Sequence, residues 1–172
     1  MNDKYAFRLA CEEDMDAVAK IVHRAWEPVL AHHKQNMGLD LFDATYSRWS
    51  QAAGNRMRSL FSRNPNCFSV VELCKSGELV AFVTYQMDHD GSMGTLGLNA
   101  VAPQFQGQGI ASMMYQFVLD QFRQAGLKFA RVRTGMNDTQ TSARRAYEKA
   151  GFDITQCEVC LLYTSPSPRD RG

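Results

Sequence analysis

Two closely spaced glycines, Gly107 and Gly109, are the residues whose type and spacing most directly indicate chemistry. They stand in the run Gln-Phe-Gln-Gly-Gln-Gly-Ile-Ala at 104–111, between a strand-like and a helix-like segment. Glycine lets the backbone approach a ligand closely, and the first turn of a helix presents unpaired N–H groups with partial positive charge. The pattern predicts a pyrophosphate site, with a ligand-free glycine-rich turn as the alternative.

Two other kinds of phosphate-binding loop do not fit these residues. A Rossmann loop would need glycine in place of Ser112 and an acidic residue at the end of the next strand, where 131–134 reads Arg-Val-Arg-Thr. A Walker loop would need Gly-Lys followed by Ser or Thr, and the sequence contains no such run. Dinucleotide and nucleoside triphosphate chemistry are therefore disfavoured.

Hydrophobic periodicity predicts the elements that position this loop, in the order β-α-α-β-β-β-α-β-α-β. Three consecutive strands form an antiparallel meander, and a right-handed crossover then gives one parallel pair. The result is one mixed α/β domain. The predicted strands lie at 5–9, 67–73, 79–87, 93–101, 129–136 and 152–159. The predicted helices follow apolar stripes at 15–25 and 46–60, separated by a polar stretch at 32–35, and continue with 109–125 and 141–150.

Two motifs resemble those of the GNAT superfamily of N-acetyltransferases. Gln104-x-x-Gly107-x-Gly109, after a strand ending Ala-Val-Ala-Pro, is similar to its motif A. Asn137 followed by Ala-Arg-Arg-Ala-Tyr-Glu-Lys-Ala-Gly-Phe at 143–152 is similar to its motif B. The two motifs together make the resemblance specific.

The resemblance extends over 5–159 in the right element order, since Phe-Arg-Leu-Ala at 7–10 with Asp14 also fits the superfamily's first strand and helix. It implies a single GNAT-like α/β (α+β) domain. The sheet would be mixed and mostly antiparallel, with a central parallel pair whose strands splay apart.

The resemblance further implies that acetyl-CoA, as acyl donor, lies in the cleft where those strands separate. Ala100 and Val101 would present backbone groups to the pantetheine and the acetyl carbonyl, and Asn137 would contact the pantetheine arm. Tyr147 matches the tyrosine that lies near the sulfur and can protonate the departing thiolate; the alternative is an aromatic side chain that only packs. The backbone amides implied to hold the pyrophosphate are those of Gln106, Gly107, Gln108, Gly109, Ile110 and Ala111.

This sequence departs from the superfamily pattern at two places. Many members have an asparagine seven residues before the tyrosine, where this chain has Gln140, and Asn137 stands ten before it. The superfamily often carries a glutamate on the strand before motif A, but 95–100 contains no acid, so the general base is unidentified. His32 and His33 fall in a region that often lines the acceptor site, with solvated surface histidines as the alternative.

The implied function is acetyl transfer from acetyl-CoA to a primary amine of a small molecule or peptide, by direct attack and without a metal. A cysteine-linked intermediate is disfavoured because no cysteine lies beside the loop. The alternative from another class is a non-catalytic acyl-CoA sensor or regulatory module, which the missing carboxylate favours. A homodimer is possible, since dimers are common in the superfamily.

Composition restricts the partners of this 172-residue chain. Lys and Arg number 19 against 18 Asp and Glu, so the net charge of +1 provides no global field to attract nucleic acid or an anionic membrane. The N-terminal residues lack an apolar signal region, and no stretch approaches the roughly 18 apolar residues needed to span a bilayer. We expect a cytoplasmic protein.

The C-terminal residues differ in character from the rest. In all eleven positions, 160–170 resembles one reading frame of a transposase-end sequencing adapter, with a native Ser/Pro tail as the alternative. We therefore expect a native domain at 1–159 and a non-native tail at 160–172. The pair Cys157 and Cys160 is then neither a metal site nor a redox site.

Overall fold

The computed structural model describes residues 4–88 and 91–158. Within these residues the strands are β1 (Tyr5–Leu9), β2 (Phe68–Leu73), β3 (Leu79–Met87), β4 (Met93–Val101) and β5 (Phe129–Val132). The helices are α1 (Met15–Arg63), α2 (Ile110–Gln124) and α3 (Thr141–Ala150), joined by short 3₁₀ turns. No helix in the described ranges combines the length and apolar character that crossing a membrane requires.

The strands form one sheet in the order β1-β2-β3-β4-β5. Neighbours are antiparallel except β4 and β5, which run parallel from the pair Met93↔Phe129 to the pair Leu96↔Val132. This confirms the predicted domain with a mixed, mostly antiparallel sheet. It also makes β5 the strand that follows the α2 crossover.

One face of the sheet is covered by α1. Met15, Val18 and Val22 recur at helical spacing, so they share one side of the helix and are almost fully buried. They pack with strand residues such as Val70 and Phe82 in one apolar cluster. Burying each such side chain contributes about 1.5–3 kcal/mol, and this fixes α1 on the sheet.

The opposite face is covered by α2 and α3. Met114, Val118 and Phe122 of α2 are buried against the sheet together with Tyr147 of α3. Gly94 of β4 brings the strand close to α2, because a Cβ atom there would lie 2.5 Å from the Phe122 ring. The sheet is therefore enclosed between two helical layers.

An ion pair joins β1 to the start of α1. Arg8 donates to both carboxylate oxygens of Asp14, at 2.6 and 2.9 Å, and the Cys11 N–H donates to the same carboxylate at 2.8 Å. Burial raises the pKa of Asp14, but the hydrogen bonds from Arg8 and Cys11 outweigh burial and leave this pKa below its usual value. Asp14 is thus held ionised at the base of the helix.

The break between the first two predicted helices lies at a different place. Residues 32–35 are helical in the structure, and α1 is interrupted at Gly38, whose φ of 75° and ψ of 170° are not helical. A polar run is compatible with an exposed helical turn, and His32 bonds Asn36 one turn later at 2.8 Å. Glycine, by contrast, adopts a positive φ without steric cost.

Two strand predictions at the C-terminal end also differ. β5 ends at Val132 instead of 136, because the residues that follow it bond to Gln140, which precedes α3. Gln140 Oε1 accepts hydrogen bonds from the Thr134 hydroxyl and the Gly135 N–H. The described part of the predicted strand at 152–159 is not a strand, and the Phe152 N–H instead closes α3 by donating to the Tyr147 carbonyl. Alternating polarity defines a face, but a strand also needs a hydrogen-bonding neighbour. The predicted tail at 160–172 lies outside the described residues.

Candidate functional site

The glycine loop connects β4 to α2 and adopts the backbone conformation for which glycine is suited. Gly107 has φ of 75° and Gly109 has φ of 80°, both in the left-handed region. At either residue, no atom outside the adjacent residues lies within 4 Å of the position a Cβ atom would take. Backbone conformation, not crowding, therefore favours glycine here, and the space beside the loop is open.

The first turn of α2 is free of side-chain capping. Gly109 is the N-cap residue and provides no side-chain oxygen. The Met113 N–H donates to the Gly109 carbonyl at 3.1 Å, so the N–H groups of Ile110, Ala111 and Ser112 precede the first intrahelical bond. These donors, with the positive end of the helix dipole, form an anion-binding arrangement.

The loop side chains bond to neighbouring elements. Gln106 Nε2 donates to the Val101 carbonyl at 3.1 Å. Gln108 Oε1 accepts hydrogen bonds from Tyr5 Oη at 2.7 Å and from Lys4 Nζ at 2.9 Å. The loop is thus tied to both β4 and β1 through glutamine amides.

Beside the loop, β4 separates from β5. The last parallel pair is Leu96↔Val132, whereas β4 stays paired with β3 through Ala100↔Phe82 and Val101↔Ala81. The edge of β4 that faces away from β3 is thus without its β5 partner from residue 97 onward. Predicted site residues Ala100 and Val101 lie in this segment, where backbone groups can bond an extended ligand.

The Tyr147 side chain reaches this segment from α3. Its ring is 6% exposed and stacks on Tyr115, with 4.6 Å between the ring centroids. Its hydroxyl oxygen accepts a hydrogen bond from Asn99 Nδ2 at 3.2 Å. The Tyr147 ring therefore packs in the core, while its hydroxyl lies at β4 beyond the last β4–β5 pair.

Asn99 and Tyr115 surround the Tyr147 hydroxyl and are not among the residues predicted from the sequence. The Tyr115 hydroxyl donates to Asn99 Oδ1 at 2.9 Å. Burial raises the pKa of Tyr115 well above its usual value, and the adjacent Tyr147 raises it further, so Tyr115 stays protonated. An asparagine within the apolar run Leu-Asn-Ala-Val at 98–101 was the available signal.

The loop after β5 places Asn137 and Gln140 in different roles. Asn137 precedes a 3₁₀ turn, and its side-chain oxygen accepts the Thr139 hydroxyl. Gln140 uses its Oε1 within the loop, as described above. Arg144 holds the loop against α3 by donating to the carbonyls of Gly135 and Asn137 at 2.7 and 2.8 Å. Contact of Asn137 with a pantetheine arm stays a prediction.

His33 and the two arginines after the α2 crossover, Arg131 and Arg133, make their contacts elsewhere. His33 stacks on Tyr46 of α1 at 5.1 Å, and burial together with His32 lowers the pKa of His33. Arg131 Nε donates to Thr95 Oγ1 at 2.9 Å on the neighbouring strand. Arg133 lies 3.5 Å from the Glu158 carboxylate and is largely exposed. Across the part of the chain that the structure describes, no cluster of His, Cys, Asp and Glu could hold a metal.

Solved structures of acetyltransferases share this fold. PaiA N-acetyltransferase from Thermoplasma acidophilum, in complex with coenzyme A, has a TM-score of 0.71 and 12% identity, over 90% of this chain and 92% of that one. The ribosomal-protein-S18-alanine N-acetyltransferase from Escherichia coli has a TM-score of 0.61 and 18% identity, over 95% and 86%. AAC(6')-Iy, in complex with the bisubstrate analogue CoA-S-monomethyl-acetylneamine, has a TM-score of 0.62 and 12% identity, over 93% and 98%.

Sequence comparison defines the family. No curated protein sequence matches the chain significantly. The model of the acetyltransferase (GNAT) family matches residues 35–152, which include the glycine loop, the β4–β5 separation and α3. Because that match covers more than half of the chain, this protein belongs to the GNAT acetyltransferase family.

Proposed function

We propose that this protein is an acetyl-CoA-dependent N-acetyltransferase acting on a primary amine of a small molecule or peptide. One observation carries the proposal: the uncapped start of α2 adjoins the point where β4 leaves β5, and the Tyr147 hydroxyl lies at the freed part of β4. Acetyl-CoA carries a diphosphate, then an extended arm with amide groups, then a thioester. The start of α2, the part of β4 without β5 and the Tyr147 hydroxyl suit these groups in that order.

The loop and β4 would bind the acyl donor. The N–H groups at the start of α2, including those of Ile110 and Ala111, suit the diphosphate, and the conformations of Gly107 and Gly109 leave room for it. The part of β4 beyond Leu96, which β5 does not pair, suits the amides of pantetheine, and it contains Ala100 and Val101; the Val101 carbonyl already accepts a hydrogen bond from Gln106 Nε2. Coenzyme A bound to the PaiA structure, which shares the fold, supports this assignment.

Acetyl-CoA supplies an activated acyl group: the amine nitrogen forms the new C–N bond, the C–S bond breaks, and sulfur takes the electron pair. The Tyr147 hydroxyl donates its proton to that sulfur. A backbone N–H near Val101 stabilises the developing oxyanion. The proton that nitrogen loses returns through water to the Tyr147 oxygen, which leaves an N-acetyl amine and a free CoA thiol.

The nucleophile must be a neutral amine, and this sets the energetic demand. For a lysine-like amine with a pKa near 10.4, deprotonation at pH 7 costs roughly 4.6 kcal/mol. No acidic residue stands at 95–100 to accept that proton. With solvent water as the proton acceptor, turnover should rise with pH as the neutral fraction of the amine increases.

The acceptor class is supported by two of the proteins that share the fold. One is an N-acetyltransferase for the alanine of ribosomal protein S18, and the other was solved with an analogue that joins CoA to acetylneamine. The first acts on an alanine of a protein, and the second binds an analogue that joins CoA to a small molecule. An amine acceptor of either kind is accordingly the class we propose.

The experiment is a thiol-release assay with acetyl-CoA and a panel of peptide and small-molecule amines. We expect free CoA with at least one amine, and Tyr147→Phe should lower kcat about 100-fold with little change in acetyl-CoA affinity. The matched control is Tyr85→Phe, which removes another buried tyrosine hydroxyl, one that donates to the Asn66 carbonyl at 3.2 Å. Full activity of Tyr147→Phe would remove the acid role from this tyrosine.

The same assay separates the enzyme from an acyl-CoA sensor, which the absence of an acid at 95–100 favours. A sensor would bind acetyl-CoA in calorimetry, give no thiol with any amine, and be indifferent to Tyr147→Phe. Calorimetry and thiol release on the same preparation therefore distinguish the two functions.

A further inference from the structure

Asn99 is a polar side chain near the C-terminal end of β4, between the apolar residues Leu98 and Ala100. Its amide lies between two tyrosines that come from different helices, Tyr115 of α2 and Tyr147 of α3. All three side chains are buried or half-buried. They form a chain of hydrogen bonds whose end is the hydroxyl that the proposed reaction uses.

The hydrogen bonds fix the orientation of the Asn99 amide. Asn99 Nδ2 lies 3.1 Å from the Gly97 carbonyl oxygen, which can only accept a hydrogen bond. The amino group must therefore be on that side, and its second hydrogen points to Tyr147 Oη at 3.2 Å. The amide oxygen is left to accept the Tyr115 hydroxyl at 2.9 Å.

The direction of these bonds restricts where the Tyr147 proton can point. Because Tyr147 Oη accepts a hydrogen bond from Asn99, its own O–H must point away from the amide. The Tyr115 hydroxyl donates to Asn99 Oδ1, and burial together with the neighbouring Tyr147 hydroxyl raises the pKa of Tyr115, so Tyr115 stays protonated. When the Tyr147 proton departs, the Asn99 N–H already faces the oxygen that becomes negative.

We propose that Asn99, oriented by Tyr115, is a positioning residue that directs the Tyr147 proton towards the leaving sulfur and stabilises the resulting oxygen anion. This inference rests on the proposed acid role of Tyr147. It gives the stacked pair Tyr115 and Tyr147, whose ring centroids are 4.6 Å apart, a function beyond packing. Asn99 acts through Tyr147 and needs no contact with the substrates.

The test is a double-mutant cycle on turnover. Asn99→Leu combined with Tyr115→Phe removes both partners of the upstream hydrogen bond, so no buried donor is left unsatisfied. We expect kcat to fall about 10-fold while the KM for acetyl-CoA changes less than about twofold. In the Tyr147→Phe background the same pair of substitutions should lower kcat by less than about twofold, because the hydroxyl they orient is gone.

A smaller variant and a control protect the test against a folding defect. Tyr115→Phe alone keeps Asn99, and we expect about a threefold loss of kcat that disappears in the Tyr147→Phe background. Tyr85→Phe should leave kcat unchanged, and melting temperatures show which variants fold. Equal losses in both backgrounds, or unchanged kcat in the Tyr147-containing protein, would overturn the positioning role alone. Absence of turnover in the unsubstituted protein would instead overturn the proposed function, and the positioning role with it.

Discussion

Gly107 is the position where one added charge best tests the anion site at the start of α2. Its φ of 75° is left-handed, and a Cβ atom there would meet nothing within 4 Å. Aspartate and asparagine tolerate this conformation better than most residues. Gly107→Asp therefore adds a carboxylate to the loop, and Gly107→Asn adds nearly the same shape without charge. Comparing the two variants separates electrostatics from backbone strain.

The expected magnitudes follow from strain and Coulomb's law. Both variants pay about 1 kcal/mol for the left-handed conformation, which lowers Tm by about 2–4 °C in a protein of this size. At a separation of about 5 Å and an effective dielectric constant of about 40, each pair of like charges costs roughly 1.7 kcal/mol. Two diphosphate charges then cost roughly 3.3 kcal/mol, which corresponds to about 300-fold in Kd.

The assay is isothermal titration calorimetry with CoA at low and at high salt. We expect Gly107→Asp to bind about 300-fold more weakly than Gly107→Asn at low salt, and the gap to narrow at high salt because ions screen an exposed pair. Both variants should keep similar melting temperatures. Equal CoA affinities for the two variants would refute a diphosphate site at this loop.

Two further predictions concern the framework that holds the site. Asp14→Ala should lower the free energy of unfolding at pH 7 by about 1–2 kcal/mol. This loss is smaller than for a fully buried ion pair because the Arg8 side chain is 37% exposed and solvent screens it. The pKa of Asp14 is lowered on folding, so its contribution to stability is present above the ordinary value of 3.8 and is lost as pH falls below that value. Denaturation curves of Asp14→Ala and the parent protein should therefore converge in acid. A stability difference that persists in acid would contradict a stabilising role of the ionised Asp14 carboxylate. Gly94→Ala should cost about 1–3 kcal/mol, because its Cβ atom would lie 2.5 Å from the Phe122 ring. The control Gly54→Ala, whose Cβ atom would make an ordinary 3.6 Å contact inside α1, should stabilise by about 0.5–1 kcal/mol, and a similar loss at both glycines would contradict the packing argument.

Local patterns were sufficient where one element is bounded by its own residues. The strands β3 and β4 and the helix α3 begin and end where the sequence predicted, because alternation, helical spacing and turn residues act over a few positions. The glycine loop falls into the same class, since its conformation depends on Gly107 and Gly109 themselves.

Local patterns were insufficient where an element depends on a distant partner. The end of β5 is set by the bonds of Gln140 to Thr134 and Gly135, and these compete with continued pairing to β4. The predicted strand at 152–159 has an alternating pattern, but no ladder forms over its described part. The break in α1 lies at Gly38 and not in the polar run at 32–35, because backbone freedom and not polarity interrupts a helix here.

The sequence by itself determined the extents of β3, β4 and α3, the glycine conformations of the loop before α2 and the presence of a tyrosine on α3, because each depends on neighbouring residues. The tertiary structure alone decided what that tyrosine touches. Asn99 lies 48 positions from Tyr147 and 16 from Tyr115, and their bonds form only when α2 and α3 pack side by side on β4. Hydrogen-bond partners across a sheet and two helices are set by packing geometry, which no local spacing encodes.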